Sequence, residues 1–106
     1  MTENDVLKNS GSAEPASTIL VIDDEMTIRL SIRFSLENSG FNVLEATDGD
    51  QAIDLFEKAR PDLILLDVLM KEKDGFTTCR AIRKKQGGEN LPIIMMTSLE
   101  DEETII

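Results

Sequence analysis

The sequence predicts an α/β fold: a doubly wound, mainly parallel sheet with helices on its faces. Three observations lead there. From Thr18 onward, short aliphatic runs alternate with longer stretches carrying helix signals, the succession that packs as strand and helix layers with right-handed crossovers. Three of the four runs are continuously apolar with no in-out alternation, as in strands covered on both faces. Two of them stop on carboxylates: "TILVIDDE" turns acidic at Asp23 and Asp24, and "LILLD" at Asp67.

The opening segment, 1–17, is polar, with Val6 and Leu7 its only bulky apolar residues. It has too little apolar surface to offset ordering entropy and is predicted to be a disordered tail. The domain then runs from 18 to 106, its strands predicted at Ile19–Asp23, Asn42–Glu45, Leu63–Asp67 and Pro92–Thr97. The segment Met26–Ser39 alternates in a way that suits a half-buried strand. Its length suits a crossover helix, however, with Asp24 as cap and Gly40 as stop. On that reading Ile28, Ile32 and Leu36 form the core stripe, and Leu30 and Phe34 lie on another face, where they are expected to meet a further helix, another protomer or polypeptide that follows.

The next helix begins at Asp48, three residues before Gln51 in a capping-box-like spacing, and stops at Pro61. Ala52, Leu55, Phe56 and Ala59 share its apolar face. The third helix has Asp74 as cap, basic residues in its last turns, and Gly87 where a left-handed C′ residue belongs. The methionines and Cys79 are expected to fill the core or to be half-buried on a helix. Glu100, Asp101, Glu102 and Glu103 are expected to be solvated at a helix start.

At 106 residues the chain holds at most one domain. With 21 acidic against 11 basic residues, a formal charge of −10 argues against a nucleic-acid surface or an anionic membrane surface. There is no histidine and a single cysteine, which removes Ser-His-Asp and Cys-His triads, His-containing zinc patterns and intrachain disulfides. No apolar run approaches the ~20 residues of a membrane span, and no signal-peptide core is visible, so the expected location is cytoplasmic.

Ligands of open α/β sheets sit beyond the carboxyl ends of the strands. If the first and third strands are neighbours, Asp23, Asp24 and Asp67 meet at one such end. Crowded carboxylates near aliphatic strands repel each other and resist ionisation. Either one keeps its proton, for acid-base work, or a hard dication such as Mg²⁺ binds and leaves positions open for phosphoryl oxygens. Each acid alone also has an ordinary reading, as a helix cap or a turn residue.

Together, "VIDDE", "LILLDVLMKEKDGF" and "LPIIMMTS" resemble the three signature blocks of response-regulator receiver (CheY-like) domains of two-component signalling. The likeness covers the chain from Thr18 to its end. It implies a flavodoxin-like sheet of order 2-1-3-4-5, with the fifth strand and fifth helix absent from this chain, so that the receiver is C-terminally incomplete and Pro92–Thr97 is left as an edge through which it could dimerise. It further implies that Asp67 accepts a phosphoryl group from a sensor histidine kinase or phosphotransfer protein. Asp24 and Asp67 would bind Mg²⁺ directly, Asp23 mainly through water, and Leu69 through its backbone carbonyl, while Thr97 would be the switch hydroxyl. Such a domain is no enzyme in the ordinary sense, although it catalyses its own phosphorylation and dephosphorylation.

Two departures stand out. Lys71 occupies the place where the family usually has proline, and the family's phosphoryl-pairing Lys before the fifth strand is not in this chain. The alternative reading is a receiver that serves as a protein-interaction module without phosphotransfer.

Overall fold

The computed structural model describes residues 16–71 and 74–96. The expectations for the tail up to residue 15, for Thr97 and for Glu100–Glu103 lie outside the described residues. In chain order the elements are β1 (Thr18–Ile22), α1 (Met26–Asn38), β2 (Asn42–Ala46), α2 (Gly49–Ala59), β3 (Leu63–Asp67), α3 (Gly75–Arg83) and β4 (Ile93–Met96). All three strand pairings are parallel and the order is β2-β1-β3-β4, the first four positions of the expected sheet.

The pleat sorts the continuous apolar runs into two cores. Leu20 and Ile22 of β1 join Ala46, Ile64 and Leu66 on one face, packed with Ala52 and Phe56 of α2 and Ile82 of α3. Ile19 and Val21 face the other way with Val43, under Ile32 and Leu36 of α1 and beside Leu63 and Leu65. Alternate side chains of a strand point to opposite faces, so β1, paired on both edges, is sealed on both sides. Among the described residues β2 and β4 are the edge strands, and Ile94 of β4 is exposed.

Helix α1 is a helix, as its length suggested, but its buried face is rotated from the expected one. Arg29, Ile32 and Leu36, spaced i, i+3, i+7, point inward, whereas Ile28 is 38% exposed. The reason is that Arg29 takes the inward position in the first turn, where the sheet offers a carbonyl and a carboxylate rather than an apolar floor. Met26, Leu30 and Phe34 form an exposed row one turn apart; Met26 is therefore not core filler. Asp24 does not cap α1 either. The N-cap is Glu25, with no side-chain cap bond, because the Asp24 carboxylate is turned toward the β3–α3 loop, where it accepts from the Lys71 N–H. The helix does end at Gly40, whose φ of 96° permits the reversal. Its N–H bonds the Glu37 carbonyl and the Phe41 N–H that of Leu36, a Schellman closure.

Helix α2 starts as predicted: Asp48 accepts from the Gln51 N–H at 2.8 Å, and the Gln51 side chain reaches back to the Thr47 N–H. Its inward face is Ala52 and Phe56 with Leu55 half-buried; Ala59 is exposed, since the last turn runs past the sheet toward Arg60. Helix α3 is capped by Asp74, which accepts from the Thr77 N–H at 2.8 Å. Gly87 is not its C′ residue. The cap is Lys84, and Gly87, with φ of 90°, turns the chain later, in a loop whose carbonyls of Gly88 and Leu91 are taken up by the Arg83 guanidinium.

Candidate acid site at the carboxyl ends of β1 and β3

Since β1 and β3 are adjacent and parallel, with Ile22 in register with Leu66, the residues following them emerge side by side at one end of the sheet. Asp23, Asp24 and Asp67 each place a carboxylate oxygen within 4.8 Å of the others. Asp23 is buried at 3% exposure, and Asp24 and Asp67 are half-buried. This answers why aliphatic strands end on acids: the sheet carries the three carboxylates to a common point and withdraws them partly from water.

Backbone donors orient all three. The Glu25 N–H donates to Asp23 Oδ1 at 2.9 Å, the Lys71 N–H to Asp24 Oδ2 at 3.1 Å and the Leu69 N–H to Asp67 Oδ1 at 3.2 Å. The turn reading of Asp67 and its convergence with the other acids are thus both true: Oδ1 accepts from the Leu69 N–H, and the carboxylate lies in the cluster. Asp23 is held further through its peptide: its N–H continues the ladder to the Ala46 carbonyl, and its carbonyl accepts from the Arg29 guanidinium at 2.8 Å.

Crowding shows in the protonation equilibria. Burial raises the Asp67 carboxyl to about 6, opposed by the Leu69 N–H and reinforced by the negative charges of Asp23, Asp24 and Glu25. Asp23 is also raised, first by burial, with the Glu25 N–H opposing, the Asp24 charge adding and the Arg29 charge subtracting. The donors are oxygen only, their charge is offset only in part, by Arg29 at Asp23, and one oxygen of each lies within 4.8 Å of the others. Such a set fits a hard dication with few protein ligands better than a soft metal.

A cleft of about 550 Å³ opens beside the acids, lined by Asp24, Glu25, Leu69, Met70, Lys71 and Asp74. A smaller one of about 230 Å³ lies between Asp24, Thr47, Asp48, Met70 and Lys71. Leu69 is in the loop after β3, as expected, with its side chain exposed. Gly75 brings α3 hard against this loop, for a Cβ there would stand 2.3 Å from the Asp67 carbonyl oxygen. Sequence reasoning missed Arg29 and Gly75. No sequence signal marks Arg29, whose partners are a carboxylate on another strand and a backbone carbonyl.

The chain matches the response regulator receiver domain model over residues 19–106. It is 41% identical over 83 residues to a protein described as a probable transcriptional regulator, ycf27, of Porphyridium aerugineum, covering 78% of this chain but 33% of that protein. The chain therefore spans about a third of that relative's length. Among solved structures, the chemotaxis protein CheY4 of Vibrio cholerae is similar at TM-score 0.75 and 33% identity, over 83% of this chain and 76% of the other. The receiver domain of a signal transduction histidine kinase from Syntrophus aciditrophicus is similar at TM-score 0.75 and 32% identity, over 85% and 68%.

Proposed function

Since this chain belongs to the response regulator receiver domain family, we propose that Asp67 is its phospho-acceptor and that Asp23, Asp24 and Asp67, with the backbone carbonyl of Leu69, hold a Mg²⁺ ion. The observation that carries the proposal is the meeting of three half-buried or buried carboxylate groups within 4.8 Å at the end of adjacent parallel strands. Among them Asp24 lines the larger cleft together with the loop residues Leu69, Met70 and Lys71.

Without a metal ion the proton affinity of Asp67 is raised to about 6, so it is mostly ionised near neutral pH, and a bound dication would hold it ionised. One Asp67 oxygen attacks the phosphorus of the donor, a phosphohistidine of a sensor kinase or phosphotransfer protein. The phosphorus–nitrogen bond breaks, its electron pair leaves with the imidazole, and an acyl phosphate remains on Asp67. The Leu69 N–H holds the other oxygen and aims the attacking one. Bound Mg²⁺ supplies charge neutralisation for the approaching phosphoryl oxygens. Thr97, following β4, would offer its hydroxyl to the phosphoryl group and so pass the added charge to the neighbouring loop. Water reaching the same cleft would hydrolyse the acyl phosphate, completing the domain's own dephosphorylation. No helix among the described residues is long and apolar enough to cross a membrane.

The test is labelling with a small phosphodonor, acetyl phosphate or phosphoramidate, followed by intact-mass measurement. One phosphoryl group should be gained with Mg²⁺ and lost with a chelator or in Asp67→Asn. A folded wild-type chain that binds Mg²⁺ yet gains nothing would replace this reading by that of an interaction module without phosphotransfer.

A further inference from the structure

Arg29 is the anomaly of α1. It lies in the first turn at 9% exposure, on the same helix face as Ile32 and Leu36. Its guanidinium works in two directions: Nε donates to Glu45 Oε1 of β2 at 2.9 Å, and NH1 to the backbone carbonyl of Asp23 at 2.8 Å. Glu45 is shared with Arg33, whose NH1 reaches Oε2 at 2.6 Å, and Arg33 also pairs with Glu37 at 2.9 Å. A buried ion pair by itself is a poor reason to place arginine where an apolar residue would pack, since desolvation consumes most of the attraction. The planar fork, however, lets one side chain serve a carboxylate and a carbonyl together.

That carbonyl belongs to the peptide joining Asp23 to Asp24. The Asp23 N–H is tied to Ala46 of β2, so with Arg29 in place the β1–α1 corner is fixed on both sides to the same neighbouring strand. The opposite effect must also be weighed. A cation beside three acids competes with a metal for them, which by itself would lower metal affinity. The Arg29 charge is felt at Asp23, so charge alone would make metal binding tighter when Arg29 is removed, whereas loss of the positioning bond would make it weaker; the sign of the change separates the two.

We infer that Arg29 is a positioning residue for the divalent-cation site: it holds the Asp23–Asp24 peptide in the orientation that aims both carboxylates, while Glu45 anchors the guanidinium from its other side. The inference rests on the acid-site reading above.

Mn²⁺ binding to the 106-residue chain, followed by electron paramagnetic resonance with folding checked by circular dichroism, tests it. Arg29→Met should weaken Mn²⁺ about tenfold, the lower end of losses seen when support behind metal ligands is removed. Arg29→Lys retains a donor for the carbonyl and should return to within about threefold of wild type. Arg33→Met, which leaves the Arg29–Asp23 bond intact, and the core variant Ile82→Val should bind as wild type although less stable. Unchanged or tighter binding in Arg29→Met, or an equal loss in Ile82→Val, would overturn the inference. If Arg29→Met does not fold, Arg29→Lys against Ile82→Val decides: a loss in Arg29→Lys much beyond threefold, or one matched by Ile82→Val, also overturns it. Wild-type binding that survives Asp67→Ala would instead overturn the acid-site reading beneath it.

Discussion

Replacing Asp67 by Asn should make the metal-free protein more stable, although it removes the proposed phospho-acceptor. The amide is nearly isosteric, and its oxygen can still accept from the Leu69 N–H that now bonds Asp67 Oδ1 at 3.2 Å. What disappears is a charge that burial and three neighbouring acids disfavour, raising the carboxyl from 3.8 to about 6. At ~1.36 kcal/mol per tenfold in proton affinity, that rise corresponds to ~3 kcal/mol against the ionised form in the fold. Solvent reaching this half-buried group screens part of it, leaving ~1–2 kcal/mol, or roughly 4–15 °C in melting temperature for a domain of this size. The sign with pH follows from a folded-state value above the unfolded one. The Asp67 contribution to wild-type stability is most favourable below about pH 4, falls as pH rises through about 6, and is lowest above that. The gain in Asp67→Asn should therefore be full near pH 7.5 in chelator and shrink toward zero near pH 4. Mg²⁺ should raise the melting temperature of wild type far more than that of the variant. A thermal melt in chelator in which Asp67→Asn is no more stable than wild type at pH 7.5 would refute the reasoning.

The packing makes further predictions. Gly75→Ala would put a Cβ 2.3 Å from the Asp67 carbonyl oxygen and 2.9 Å from Val68 Cα, both backbone atoms. It should lose ~1–3 kcal/mol to overpacking, exceeding the ~1 kcal/mol that alanine gains in a helix; an unchanged denaturation midpoint would show that α3 can step away from the β3 loop. Asp48→Ala should cost ~1 kcal/mol through loss of its cap bond, whereas Asp24→Ala, which caps nothing, should cost less in the metal-free chain, since loss of its exposed bond from the Lys71 N–H is offset by relieved repulsion. Equal losses in the two would restore Asp24 as a cap. Leu30→Ser with Phe34→Ser changes residues 49% and 68% exposed, and should alter stability by less than ~1 kcal/mol in total. A larger loss would mean that this row is covered in solution.

The contrast between Asp67 and Arg29 shows which parts of such a site a sequence displays. A carboxylate that interrupts an aliphatic run is conspicuous, because the run already specifies a buried strand and the acid contradicts it. Parallel neighbours then carry two such contradictions to one place, and for that reason β1, β3 and the acids were all legible before any coordinates. Arg29 contradicts nothing on the line of text. In a segment where apolar and polar residues alternate, it passes for surface charge, and the periodicity points instead to Ile28. Its partners are a carboxylate on another strand and a carbonyl at the preceding corner, and backbone carbonyls carry no sequence signature at all. The same blindness explains Asp24: its spacing suits a cap, but the Lys71 N–H that claims it comes from a loop brought in by β3. Residues that do the chemistry are set by side-chain type and are visible in sequence, while residues that aim them are set by tertiary hydrogen bonds. In this domain the aiming falls to backbone N–H groups of Glu25, Leu69 and Lys71 and to one guanidinium. Of these only Arg29 can be changed by substitution without altering the backbone itself, and for that reason it is the residue on which the site's geometry can be tested.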